Sequence, residues 1–458
     1  MPYQLPSDLL KSLEKVNGFD FNTFVETHQQ REIVTSVRFN PNKQTSPENS
    51  TLKLSIQVPW SEKGYYLENR PSFTLDPLFH AGAYYVQEAS SMFLEEALRQ
   101  TINLNKDINV LDLCAAPGGK STLIQSVISE NSLLVSNEVI KTRVNILSEN
   151  IIKWGGGNVV VTNNDPKDFQ RLPQFFDVIL VDAPCSGSGL FRKDPDAIEE
   201  WSMDNVNLCS QRQQRILSDI INSLKPGGVL IYSTCSYSME EDEKICDWLL
   251  SDYEFESLQI KTKSDWKIVE VQSEKNKGYG YRFYPDKLKG EGFFIAAFKN
   301  KIEAENFKEQ KQKSKLERIS KSQESVVSSW IKNNSNLMFF PHQQNIIAFP
   351  ENKIYELAVL QQSLYLKKAG LNLGSIIRNE LIPSHDLAMS GIVNENIESI
   401  ELDEENALNY LRLQPFHYDS SFSGWVLVKF KDLPLGFVKM MPNRINNYYP
   451  KEWRIFNK

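Results

Sequence analysis

The spacing of apolar and polar positions changes character along this chain of 458 residues. From about residue 108, short continuous apolar runs alternate with longer stretches of helical spacing. "INVLDLC" (108–114), "SLLVSNE" (132–138), "NVVVTNND" (158–165), "FDVILVDAPC" (176–185) and "GGVLIYSTC" (227–235) read as buried strands. Between them "STLIQSVI", "IKTRVNILSENIIKW" and the region 204–223 place apolar residues every third or fourth position and read as helices. Strands apolar on both faces are what a sheet covered by helices on each side requires. The pattern therefore predicts an α/β fold with a mostly parallel, doubly wound sheet. "YGYRFYPDKLKGEGFFIAAFKN" (279–300) reads as a closing hairpin.

The flanks have a different texture. Near the amino terminus, "SDLLKSLEKV" predicts a helix capped by Ser7, "TLKLSIQVPW" a strand, and "SMFLEEAL" a helix beginning near Ser90. Residues 301–325 are charged, poor in large apolar residues and free of Gly and Pro, as in a linker or a solvated helix. Beyond them "GWVLVKF" and "LPLGFVKMM" bracket the two-residue turn "KD", predicting a β-rich module over about 335–458. The expected division is a segment at 1–95, the α/β domain at 96–300, a charged linker at 301–330, and a carboxy-terminal domain at 331–458.

Composition narrows the function classes. A net charge of −7 provides no global attraction to nucleic acid, so any such partner must meet a local basic face. The five cysteines, at 114, 185, 209, 235 and 246, include no C-x-x-C pair, and the five histidines are scattered. Neither a disulfide framework nor a metal site is expected. No apolar run approaches a membrane span, and the first residues lack the core of a secretory signal, so a cytoplasmic protein is expected.

Candidate chemistry gathers at the strand ends. "LDLCAAPGGKST" (111–122) places a Gly-rich turn between the first central strand and its helix, where a ligand can approach backbone N–H groups. Glu138, past the second strand, follows Gly118 at a spacing suited to ribose hydroxyls. Asp165 ends the third strand. The turn matches neither G-x-G-x-x-G nor a P-loop, which disfavours dinucleotide redox chemistry and NTP hydrolysis. Cys185 and Cys235 stand just beyond two further strands, with Asp182 at the same rim. Buried cysteine is usually a small apolar plug, and that reading suits Cys209 and Cys246. Two cysteines in polar turns at a sheet's ligand-binding rim point instead to a thiolate nucleophile. The residues alone do not choose between them.

"LDLCAAPGGK", "VDAPCSGSGLFRKDP" and "STCSYSMEEDE" resemble the signature motifs of the RNA cytosine-C5 methyltransferases of the Nop/Sun family. "PSHDLAMS", "YLRL" and "GWVLVKFKDLPLGFVKMMPNRINNYYP" are similar to the tail of its RsmF-like bacterial branch, so the resemblance runs from about residue 5 to 455. It implies a Rossmann-like class I fold that binds S-adenosyl-L-methionine, an amino-terminal α+β RNA-binding segment and a PUA-like carboxy-terminal domain. By the same resemblance Cys235 attacks cytosine C6, Cys185 assists proton removal and product release, and Asp182 bonds the base edge. Cys114, Ala115, Ala116, Pro117, Gly118, Gly119, Lys120, Glu138, Asp165 and Asp182 would frame the cofactor, with Arg143 a weaker addition.

The implied substrate is 16S rRNA in a small ribosomal subunit or its precursor, and the implied state a monomer. Arg192 and Lys193 beside the site, and Lys439, Arg444, Tyr448, Tyr449 and Arg454 in the tail, are the candidate RNA contacts. Asn446 and Leu413 depart from the family's usual lysine and glycine. Competing readings are a tRNA cytosine-C5 methyltransferase and a non-catalytic RNA-binding assembly factor.

Overall fold

The computed structural model describes all residues except 1–3, 31, 44–46, 48–49, 304–315, 333–335, 419–421 and 457–458. Two helices, Ser7–Leu13 and Phe21–Gln30, open the chain. Ser7 is the first helical residue rather than the cap: Pro6 occupies the cap position and no side chain caps the helix. Four short strands follow, β1 (Ser36–Phe39), β2 (Leu54–Gln57), β3 (Gly64–Leu67) and β4 (Tyr84–Val86). They form an antiparallel sheet in the order β2-β3-β1-β4. The helix expected near Ser90 starts as a 3-10 turn, Ser90–Phe93, and becomes regular at Leu94–Thr101.

The central sheet uses β5 (Asn109–Asp112), β6 (Leu133–Asn137), β7 (Val159–Thr162), β8 (Phe176–Asp182), β9 (Leu224–Thr234), β10 (Phe255–Leu258), β11 (Val269–Gln272), β12 (Tyr279–Phe283) and β13 (Phe293–Asn300). The carboxy-terminal region supplies β14 (Leu337–His342), β15 (Asn345–Pro350), β16 (Leu366–Ala369), β17 (Leu371–Ile377) and β18 (Glu380–Pro383), then β19 (Ser399–Glu401), β20 (Gly424–Phe430), β21 (Leu433–Met441) and β22 (Arg444–Asn447). Central strand order is β11-β12-β13-β9-β8-β5-β6-β7-β16, with β10 also on β13. Strands β5 to β9 are parallel; the pairings toward both edges are antiparallel. The order reverses between β5 and β8, which opens a crevice at their carboxyl ends.

Period-two alternation explains why both faces are covered. Val110, Val178 and Leu180 pack with Leu123, Ile124, Val144 and Leu147 of helices Gly119–Val127 and Lys141–Trp154. Their chain neighbours Leu111, Ile179 and Val181 point the other way, against Ile216, Leu217 and Leu249 of helices Met203–Ile220 and Glu243–Asp252. Each such buried aliphatic side chain contributes about 1.5–3 kcal/mol relative to exposure.

The carboxy-terminal region does not keep to itself. Helix Ile354–Ser363 sends Leu357 and Leu360 into the same apolar layer, and β16 pairs with β7, whose open edge would otherwise leave backbone groups unpaired. In the charged stretch 301–330, residues 304–315 lie outside the described residues. Its later part is ordered: Ser320 caps helix Lys321–Ser328, and Val327 and Trp330 are buried with Phe437. The turn "KD" joins β20 to β21 with Lys431 and Asp432 both left-handed, at φ 49° and 64°, which suits a two-residue hairpin. Among the described residues no helix is long and apolar enough to cross a membrane.

Candidate active site

Strands β8 and β9 run parallel as neighbours, with Asp182 opposite Ser233. The loops that leave them therefore start side by side, and Cys185 and Cys235 meet. Their sulfurs lie 2.9 Å apart as free thiols, both partly accessible. The loops are also tied by hydrogen bonds: Gly189 N–H donates to the Cys235 carbonyl at 2.9 Å, and Tyr237 N–H to the side-chain Oγ of Ser188 at 2.9 Å. A side chain at Gly189 would come within 2.8 Å of that carbonyl, so the approach requires glycine. The hydrogen bond to Cys235, then burial, hold the Cys185 thiol well above the ordinary cysteine pKa.

Asp182 faces the same space. Its Oδ2 lies 2.7 Å from the Lys120 ammonium, and its Oδ1 accepts from Ser233 Oγ at 2.7 Å. Burial opposes the Lys120 charge, but Asp182 outweighs it and raises the lysine's pKa. Lys120 is the second residue of helix Gly119–Val127, which follows Gly118 in the left-handed conformation at φ 118°. The Gly-rich turn thus brings the helix start, Lys120 and Asp182 to one rim.

The remaining cofactor candidates stand at neighbouring strand ends. Buried Glu138 accepts from Ile140 N–H at 2.8 Å and lies 3.3 Å from Arg143, whose other nitrogen donates to the Ala116 carbonyl at 2.7 Å. Arg143 therefore braces the turn against Glu138. Asp165 caps the short turn Pro166–Arg171 through Lys167 N–H. Cys114 packs at the turn, where burial raises its pKa beyond reach at neutral pH.

One contributor escaped the sequence reading. Asp112, last residue of β5, is fully buried; Oδ2 accepts from Ser121 Oγ at 2.7 Å and Oδ1 has no partner. Burial pushes its pKa up to about 7. The available signal was a carboxylate inside an otherwise apolar run, directly before the Gly-rich turn.

The candidate RNA contacts divide. Arg192 is buried: it donates to the Glu32 carbonyl and lies 3.5 Å from Glu291, so it does not offer a surface contact. Tyr449 is buried too, packed edge-on to His385 with ring centres 5.3 Å apart. Lys193, Arg444, Tyr448 and Arg454 are exposed. Lys439 is paired with Glu380 at 2.9 Å beside Trp425, on which Tyr448 also packs.

Comparison with known proteins agrees with this geometry. Residues 99–299 match the family profile described as 16S rRNA methyltransferase RsmB/F, residues 5–89 the N-terminal domain of 16S rRNA methyltransferase RsmF, and residues 397–455 the methyltransferase RsmF PUA domain. Ribosomal RNA small subunit methyltransferase F of Aeromonas salmonicida is 31% identical over 409 residues, covering 86% of this chain and 84% of the relative. Its Escherichia coli O139:H28 counterpart is 29% identical over 448 residues, covering 92% and 91%. Among solved structures, a methyltransferase homolog protein from Pyrococcus horikoshii has TM-score 0.52 and 28% identity, covering 65% of this chain and all of that one. NSun6 from the same organism, solved with SFG, shares the fold at TM-score 0.55 and 20% identity, over 66% of this chain and all of that one. With two free thiols beside the switch point of such a sheet, and matches between residue 5 and residue 455, the chain belongs to the RsmB/F family of 16S rRNA methyltransferases.

Proposed function

We propose that this protein methylates carbon 5 of a cytosine in 16S rRNA, within a small ribosomal subunit or its precursor, through a covalent cysteine adduct. The observation that carries the reading is the pair of thiols 2.9 Å apart beside the Lys120–Asp182 pair. Cytosine C5 is too weak a nucleophile to take a methyl group unaided. The Cys235 thiolate adds to C6, forming an S–C6 bond and moving the ring electrons toward C5. Asp182, shared with Lys120 and Ser233, holds the base edge while charge builds on the ring. Carbon 5, made nucleophilic, takes the methyl group; with Cys185 close enough to assist, its proton is then lost to water, the C5–C6 double bond re-forms and the Cys235 sulfur leaves.

The residues present fit S-adenosyl-L-methionine. The cofactor carries positive charge, and the carboxylates of Asp112, bonded to Ser121, Glu138, joined through Arg143 to Ala116, and Asp182, paired with Lys120, lie beside the turn, with Asp165 following β7; among the described residues Asp112 Oδ1 has no partner. Lys120 and the start of helix Gly119–Val127 suit the cofactor's carboxylate. When bound, the cofactor supplies the electrophilic methyl group. The target base must leave its stack to reach the thiols, and Lys193 and the exposed tail residues are the proposed RNA contacts. A cytoplasmic monomer suits this reading.

A covalent trap tests it. With S-adenosylmethionine and immature small subunits, Cys185→Ser is expected to accumulate a denaturant-resistant RNA adduct, and Cys235→Ser none. The reverse pattern exchanges the two roles, and no adduct in either variant overturns the mechanism. Methylation mapping after gene deletion separates the substrates: loss of a transfer-RNA mark with ribosomal marks intact refutes the 16S assignment.

A further inference from the structure

Each cysteine of the pair is followed by a serine, and both serines turn to the same buried carboxylate. Ser186 Oγ and Ser236 Oγ each donate to Glu241 Oε2 at 2.6 Å. The other oxygen, Oε1, accepts Ser186 N–H at 2.8 Å and Gln213 Nε2 at 3.1 Å. Glu241 has no solvent exposure. Its own carbonyl accepts from the Tyr232 hydroxyl at 2.6 Å, which anchors it to β9. Next to it Asp242 accepts from Thr234 Oγ1 at 2.7 Å and pairs with Arg282 at 3.1 Å, so the turn that presents Glu241 is itself held.

A buried carboxylate is expensive to desolvate unless every lone pair in reach is used. Here four donors converge on it from three segments, the 185–186 loop, the 235–236 loop and helix Met203–Ile220. Only a carboxylate accepts on both oxygens; a glutamine in its place turns an NH2 group toward donors on one side. Asp would lack the reach. A link of this kind is not needed to close the fold, because the strands below are already paired along β8 and β9. Its effect falls on the loops above them.

We propose that Glu241 is the positioning residue that registers the two cysteine loops, so that both sulfurs address one pyrimidine ring. This rests on the two-cysteine reaction proposed above. Attack by Cys235 and proton removal at C5 are consecutive steps on adjacent carbons, and each fails when its sulfur drifts by a fraction of the distance between them. The Glu241 charge also contributes to holding the Cys185 thiol protonated, after the Cys235 hydrogen bond, burial and the Cys235 charge itself. Glu241 touches neither ring nor cofactor in this assignment; it acts through Ser186 and Ser236.

The test uses the full-length protein, 16S rRNA-containing precursor subunits and S-adenosylmethionine, comparing wild type, Glu241→Gln and the double variant Ser186→Ala/Ser236→Ala. Three quantities are read: single-turnover methylation, cofactor affinity, and the pH dependence of Cys185 alkylation by iodoacetamide, resolved by peptide mass spectrometry. Misplaced reacting groups lose rate steeply, so methylation is expected to fall about tenfold or more in both variants while cofactor affinity stays within about twofold. In Glu241→Gln the Cys185 alkylation midpoint moves to lower pH. The serine variant leaves the carboxylate in place and decides the question if Glu241→Gln does not fold.

Methylation within about threefold of wild type in the serine variant overturns the proposal. So does a loss accompanied by equal loss of cofactor affinity, or an unchanged alkylation profile in folded Glu241→Gln. Cys185→Ser and Cys235→Ser in the same assay are the controls: failure of both to trap an adduct refutes the two-cysteine reaction itself, whatever Glu241 does.

Discussion

Replacing Asp182 with Asn separates binding from catalysis at the rim of β8. The amide keeps the shape, and Ser233 Oγ can still donate to its oxygen, but the charge facing Lys120 at 2.7 Å is gone. At that distance a unit pair interacts by about 6 kcal/mol at an effective dielectric near 20 and about 1.5 kcal/mol in bulk water. The Asp182 side chain is 32% exposed, so solvent screens the pair and the lower end governs stability. A loss of about 1–2 kcal/mol in unfolding free energy is expected. In the proposed reaction the transition state feels the change more, because Asp182 would meet the ring where charge develops. Loss of one such preorganised group costs about 100- to 1,000-fold in rate. Single-turnover methylation of precursor subunits, thermal unfolding and calorimetric cofactor titration on the same preparation separate the effects. A rate loss below about fivefold, or one matched by an equal fall in cofactor affinity, would show that Asp182 only supports Lys120.

Two further perturbations follow from buried groups. With the Asp112 carboxyl at about pKa 7 against 3.8 when unfolded, the folded state alone holds its proton between those values, so the stability of the cofactor-free protein declines as pH rises across that window. Above it the ionised Asp112 favours a cationic ligand; S-adenosylmethionine affinity should rise between about pH 6 and 8, and Asp112→Asn should flatten both trends in calorimetry and thermal melts. Arg38 reaches from β1 under the helix behind the Gly-rich turn, donating to Gln87, Ser126, Thr122 and the Gly119 carbonyl over the Trp154 ring, with no carboxylate in hydrogen-bond contact among the described residues. Arg38→Met should lower unfolding free energy by about 2–4 kcal/mol in denaturant titrations and weaken cofactor binding, because the acceptors at the helix start lose their donor.

The strand and turn pattern was legible in the chain because it is local. Apolar runs on both faces mark buried strands, glycines mark a close backbone approach, and the two cysteines are placed by where their strands end. The motifs that resemble those of RNA cytosine-C5 methyltransferases imply their roles, which periodicity alone left open. Other features depended on what meets what across the fold. Arg192 and Tyr449 have the composition of surface contacts, yet neighbours distant in sequence, Glu291 and His385, take them inside. β16 joins the central sheet only because β7 ends as an open edge. The 2.9 Å between Cys185 and Cys235 spans fifty residues of chain and exists because β8 and β9 pair in parallel register. That one carboxylate, Glu241, should then hold both loops follows from the same pairing. Hydrophobic periodicity specifies where each strand begins and stops; the order in which strands lie together, and hence which side chains share a cavity, is decided by packing the whole sheet.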